Sequence, residues 1–214
     1  FTGVKKISLE EGLRSGMIEY ISDDLVDEYL DRVFALRVSK EPVHKSDLKV
    51  VYTPLNGTGN KLVQRILYRI GVEDIAMVKE QQRPDGNFPT CPYPNPEEKE
   101  TLRLGIELCS RLDGDLVLAT DPDADRVGIV VKHHGEYVLP SGNEVGVLML
   151  DYIAKQKLAQ GTMPKKPIAV KSIVSTPLAD VVAKSYGIEM INVLTGFKYI
   201  GEQISILEQK EIGR

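Results

Sequence analysis

The stretch Asp121-Pro122-Asp123-Ala124-Asp125-Arg126 places three carboxylates on alternate residues, with an arginine directly behind them. Like charges packed this closely repel, and holding them together without a cation is costly. Oxygen ligands of this kind select Mg²⁺, Mn²⁺ or Ca²⁺ rather than zinc. Pro122 restricts the backbone, Ala124 is too small to block an ion, and the apolar runs on either side would hold both ends of the loop. A divalent cation would neutralise the loop's net charge and leave Arg126 free to attract an anion.

Three chemistries compete for such a loop. An EF-hand requires Gly at the sixth position, Glu at the twelfth and flanking helices; here those positions are Arg126 and Lys132, within strand-like sequence. A solvated acidic turn is the plainest alternative and would suffice for a single Asp-x-Asp. The third Asp followed by Arg favours a phosphoryl-transfer site, in which the carboxylates hold Mg²⁺ and Arg126 faces the phosphoryl group.

The elements around this loop alternate. Residues 1–47 are polar and mostly helical, with Leu25, Tyr29, Val33 and Leu36 on one face of a helix over Asp24 to Leu36. Strands are predicted over Leu48 to Thr53, Ile75 to Val78, Leu116 to Thr120 and Val127 to Val131. Helices are predicted over Lys61 to Ile70 and from a cap at Asn95 with Pro96 at the first position to about Leu112. A second cycle follows: helix Glu144 to Lys157, strand Ile168 to Val174, helix Pro177 to Tyr186, strand Glu189 to Leu194, helix Phe197 to Leu207. This pattern specifies an α/β fold with layered mixed, largely parallel sheets, flanking helices and two consecutive α/β units. The expected divisions are 1–47, a helical segment ending a preceding domain; 48–140, carrying the acidic loop; and 141–214, a partial second α/β domain. The start at Phe1 and the stop at Arg214 suggest a piece of a longer protein.

Composition bounds the function. Of 214 residues, 42% are hydrophobic and 27% charged, which is ample for a core. The net charge of −4 argues against a nucleic-acid surface. The richest apolar stretch, Val145 to Ile153, is too short to span a bilayer, and there is no signal-peptide pattern. The two cysteines, Cys91 and Cys109, make neither a disulfide framework nor a zinc site, so a cytoplasmic location is expected.

Other features have plainer readings. The segment Asn56 to Lys61 joins a strand to a helix; it lacks the P-loop pattern, so a tight turn is favoured over a phosphate cradle. Lys171, at a strand end, could be a snorkelling lysine. Lys198 lies in the first turn of a helix, where a cation opposes the helix dipole. The pair His133-His134 ends a hairpin, where neighbouring side chains point opposite ways, and His44 follows no serine.

Four stretches together resemble the α-D-phosphohexomutases, the phosphoglucomutase and phosphomannomutase superfamily: Thr53 to Asn60 (TPLNGTGN), Arg83 to Glu97 (RPDGNFPTCPYPNPE), Leu118 to Arg126 (LATDPDADR) and Thr195 to Gly201 (TGFKYIG). The resemblance covers about Leu48 to Glu202. Pro122 and Ala124 stand where many members have glycines, as in a branch of bacterial phosphoglucomutases similar to eukaryotic phosphopentomutases.

The resemblance implies a four-domain, Mg²⁺-dependent enzyme. A phosphoserine donates to a sugar phosphate, the bisphosphate turns around, and hexose 1-phosphate and 6-phosphate interconvert, with glucose the first choice of sugar and a glucose 1,6-bisphosphate-type activator. It implies Asp121, Asp123 and Asp125 as Mg²⁺ ligands, with Asp125 also near substrate. Arg126 would be a catalytic and substrate-binding residue, Lys171 a catalytic lysine, and Thr195 and Lys198 sugar-binding residues. The implied partners are a small sugar phosphate and the remaining domains of the same polypeptide, with no nucleic acid and no membrane. Phosphomannomutase or phosphopentomutase activity, or a non-catalytic sugar-phosphate-binding module, are the alternatives. The family's serine loop, its Gly-Glu-Glu-Ser sugar loop and its Arg-Pro-Ser-Gly-Thr phosphate loop are not found here, so the chain alone is expected to be inactive.

Overall fold

A computed structural model describes residues 3–40 and 47–209. His44, and the ends of the predicted segments 1–47 and 141–214, fall outside the described residues. Those that are described divide into two compact units, one up to Arg37 and one from Val38 onward.

The first unit holds α1 (Leu9–Arg14) and α2 (Asp23–Ala35), with Ser8 and Ser22 accepting hydrogen bonds from the Glu11 and Leu25 amides as N-caps. The buried face of α2 differs from the expected one. Leu25, Tyr29 and Leu36 are exposed, and Leu30 is buried with Val26, Val33 and Phe34 half-buried beside it. Those four apolar residues fall at i, i+4, i+7 and i+8, a tighter helical stripe than the predicted set.

The second unit contains β1 (Lys49–Thr53), α3 (Asn60–Ile70), β2 (Asp74–Met77), α4 (Lys79–Gln82), α5 (Arg103–Arg111), β3 (Leu116–Thr120), β4 (Val127–His133) and β5 (Glu136–Val138). It continues with α6 (Gly142–Ala159), β6 (Ile168–Ser172), α7 (Leu178–Ser185), β7 (Glu189–Val193) and α8 (Phe197–Gln209). A five-stranded sheet has the order β2-β1-β3-β4-β5, with β1 parallel to both β2 and β3 and the last two pairs antiparallel. Val50, Val51 and Tyr52 of β1 are all buried, as a strand covered on both faces requires. The core gathers Val51, Leu55, Val78, Leu102, Cys109, Val117, Ala119 and Val130. A second sheet pairs β6 and β7 in parallel, with Lys171 opposite Asn192. A capping box of Ser141 and Glu144 starts α6.

The predicted helix from Asn95 does not begin there. Asn95 Oδ1 accepts from the Glu97 amide in a local turn, and α5 starts only at Arg103. The charged run Glu97-Glu98-Lys99-Glu100 has nothing to bury, whereas Leu102 opens the stripe that enters the core. The turn is fixed from outside: a Cβ on Gly128 of β4 would lie 2.7 Å from the Pro96 carbonyl carbon.

The strand order places the acidic loop. From β1 the chain crosses to β2 on one side and later to β3 on the other. Right-handed crossovers then put the two connections on opposite faces and open a crevice at the carboxyl ends of β1 and β3. The TPLNGTGN turn follows β1 and the Asp121 loop follows β3, so the two meet there.

Candidate metal centre

Asp121 to Arg126 form the tip of the β3–β4 hairpin, closed below by the Thr120 and Val127 pair. The Asp121 amide donates to the Arg126 carbonyl (3.3 Å), and the Ala124 amide donates to the Asp121 carbonyl (3.0 Å). Ala124 has φ +60°, so the loop turns through the left-handed region at its smallest side chain. That curl brings one oxygen from each of Asp121, Asp123 and Asp125 within 4.8 Å of one another.

The three carboxylates occupy different environments. Asp121 is buried and accepts from the Arg126 backbone N–H (2.9 Å to Oδ1) and from Arg126 Nε (2.8 Å to Oδ2). Burial pushes its carboxyl up, but the hydrogen bonds from Arg126 outweigh that and hold it below the usual carboxylate range. Asp125 is exposed, and the charges of Asp123 and then Asp121 push its carboxyl up. Arg126 Nε also lies 3.8 Å from Asp125 Oδ1.

This donor set suits a hard divalent cation. An octahedral Mg²⁺ sets neighbouring ligands about 3 Å apart and opposite ones about 4.2 Å, so three oxygens within 4.8 Å of one another would draw together by up to about 2 Å, a closure for which the exposed Asp123 and Asp125 side chains have room. The mutual repulsion that raises Asp125 is what a cation would relieve.

The remaining predicted residues lie elsewhere. Lys171, on β6, is largely buried, pairs with Asp180 Oδ2 at 3.1 Å and donates to the Ser175 carbonyl at 3.4 Å. Asp180 also accepts from Asn192 Nδ2 (3.0 Å). Lys171 lines a cleft of about 200 Å³ with Asn143, Ser175 and Thr176. Thr195 and Lys198 are exposed around the start of α8, and Lys198 Nζ sits 4.8 Å from the centre of the Tyr199 ring. No described hydrogen bond or ion pair joins these three to the acidic loop. The pairing of Asp180 with Lys171 was not legible in the sequence: an Asp in the first turn of a helix reads as an ordinary first-turn acid.

Fold and loop together define an α/β protein with a carboxylate cluster at the carboxyl ends of the parallel strands β1 and β3 of a mixed sheet. The chain belongs to the phosphoglucomutase/phosphomannomutase family: residues 27–135 match its alpha/beta/alpha domain II and residues 141–209 its alpha/beta/alpha domain III. A phosphoglucomutase of Staphylococcus saprophyticus is 35% identical over 204 residues, covering 92% of this chain and 36% of its own length. A phosphoribomutase of Saccharomyces cerevisiae is 35% identical over 215 residues, covering 94% of this chain and 34% of its own. The chain thus spans about a third of the length of the curated relatives it matches. A phosphoglucomutase/phosphomannomutase family protein from Burkholderia thailandensis shares the fold, with a TM-score of 0.65 at 22% identity over 85% of this chain and 36% of that one. Among the described residues no helix is long and apolar enough to cross a membrane.

Proposed function

We propose that this chain is the metal-loop portion of a Mg²⁺-dependent phosphohexomutase. The intact enzyme would interconvert hexose 1-phosphate and hexose 6-phosphate through a phosphoserine and a bisphosphate, with glucose the preferred sugar. The observation that carries this is the convergence of the Asp121, Asp123 and Asp125 oxygens within 4.8 Å, with Arg126 anchored beside them. The 35% identity to mutases named for glucose and ribose phosphates supports the reaction class and leaves phosphopentomutase or phosphomannomutase activity as the second reading.

When bound, Mg²⁺ supplies charge stabilisation for the transferring phosphoryl group. The chain's own residues do the rest. Asp121, fixed by Arg126, presents a carboxylate of constant orientation. Asp123 and Asp125, on the exposed rim, complete the ligand set. Arg126 commits its backbone N–H and Nε to Asp121, and its terminal nitrogens are engaged by no described residue, so they can receive a phosphoryl oxygen pair. Lys171, held by Asp180, would offer an ammonium to the substrate phosphate, and Thr195 and Lys198 would contact the sugar.

Within the 214 residues no serine stands in the expected nucleophile loop, so the chain alone should give no turnover. The test mixes glucose 1-phosphate, Mg²⁺ and a trace of glucose 1,6-bisphosphate with either this chain or the full-length protein. Glucose 6-phosphate should appear only with the latter. An inactive full-length protein favours the non-catalytic binding module, and faster conversion of ribose or mannose phosphates favours the second reading.

A further inference from the structure

We infer that the turn after β1, residues 54–59, is a clamp that holds the acidic loop in ligand geometry, and that Thr58 is a positioning residue for the cation; this rests on the reading of the Asp cluster as a metal centre. Three like charges push the loop open, so something outside it must restrain it. Pro122 stands between Asp121 and Asp123, and its carbonyl accepts twice from Thr58, from the backbone N–H at 2.8 Å and from Oγ1 at 3.1 Å. The two backbones touch. A Cβ on Gly57 would lie 2.5 Å from the Pro122 carbonyl oxygen. On the other side of Asp121, Thr120 Oγ1 shares a hydrogen bond with the Tyr52 hydroxyl (2.9 Å), and a Cβ on Gly59 would lie 2.7 Å from both oxygens. Both neighbours of the buried ligand are therefore gripped from β1 and its turn.

The turn is built stiffly for this. Leu55 and Asn56 sit in the left-handed region at φ 48° and 58°, strained for a leucine above all. The surroundings enforce it. The Leu55 side chain is in the core and its amide donates to Thr53 Oγ1 (3.1 Å). The Asn56 amide donates to the Gln81 carbonyl (2.8 Å) and its Nδ2 to the Arg83 carbonyl (2.8 Å). A connection that merely joins β1 to α3 needs neither this strain nor two donors on one carbonyl of a distant loop.

The 214-residue chain, its Thr58→Val variant and its Thr58→Ser variant are each titrated with Mn²⁺, and the free aquo ion is read by electron paramagnetic resonance. Valine removes the Oγ1 donor at nearly constant volume; serine keeps it. Thr58→Val should raise the dissociation constant about tenfold, Thr58→Ser should restore it, and the metal-free melting temperatures should agree to within about 3 °C. Equal affinities in parent and Thr58→Val overturn the clamp alone. A lowered melting temperature in Thr58→Val without loss of affinity also overturns it, making Thr58 a fold residue. No Mn²⁺ binding by the parent overturns the metal centre itself.

Discussion

Arg126 folds back on Asp121, five residues earlier, with its main-chain N–H on one carboxylate oxygen at 2.9 Å and its Nε on the other at 2.8 Å. The pair closes the hairpin tip at its base and fixes the one buried carboxylate of the cluster. It also pins the arginine by its inner nitrogens. Lysine carries a point charge without the planar fork, so it cannot hold Asp121 and face a phosphoryl group together. In the intact enzyme, Arg126→Lys is expected to lower kcat about tenfold or more with an unchanged circular dichroism spectrum. Wild-type turnover in that variant would remove Arg126 from the mechanism.

Tyr52 makes alkaline stability a test of the support beneath the loop. Burial pushes its phenol up to about 12, against a smaller lowering by the Thr120 hydrogen bond. A folded-state value above the unfolded one gives stability that is complete below about pH 10 and is lost as pH rises through the folded value. A shift of this size corresponds to about 2–3 kcal/mol. Unfolding free energies measured from pH 9 upward should fall for the parent and fall less steeply for Tyr52→Phe; parallel curves would contradict the assignment.

The acid limb belongs in part to Asp180. Hydrogen bonds from Asn192 and then Lys171 hold its carboxyl below the ordinary value. Its contribution is therefore present above the unfolded pKa and lost as pH falls through the folded one. Asp180→Asn should lower the melting temperature at neutral pH and flatten its decline below about pH 4. An unchanged acid limb would show that the Lys171–Asp180 pair contributes nothing to the fold.

Gly128 is where β4 admits the Pro96 turn. A methyl group there meets the Pro96 backbone, which cannot move aside as a flexible side chain could. Gly128→Ala should cost about 1–3 kcal/mol in urea unfolding. A loss below about 0.5 kcal/mol would mean that the 92–102 segment is free to shift.

The strands and helices that position the site were legible because their apolar runs were compact. Leu116 to Thr120 was predicted to the residue, and α3 and β7 to within one residue at either end. The convergence of the acidic loop was legible because three carboxylates on alternate residues, with Pro122 and Ala124 between them, come together when the backbone curls. The false helix start at Asn95 followed local capping chemistry; what decides that segment is Gly128, distant in sequence, leaving room for Pro96. The α2 face was misplaced because two overlapping apolar stripes run along that helix. The support of the loop was not legible at all. Nothing in TPLNGTGN announces left-handed Leu55 and Asn56, or that Thr58 donates to a carbonyl 64 residues away.

The central claim is that Asp121, Asp123 and Asp125 together hold a divalent cation, and thermal unfolding of the 214-residue chain with and without millimolar Mg²⁺ tests it most directly. A ligand bound only by the folded state stabilises it by mass action, by about 1.4 kcal/mol at ten times the dissociation constant, or about 3–5 °C. The parent chain should show such a rise and Asp123→Asn should show none. Asp123 is exposed, so the substitution leaves the metal-free fold intact and isolates the ligand role. Equal responses of parent and Asp123→Asn to Mg²⁺ would contradict the account.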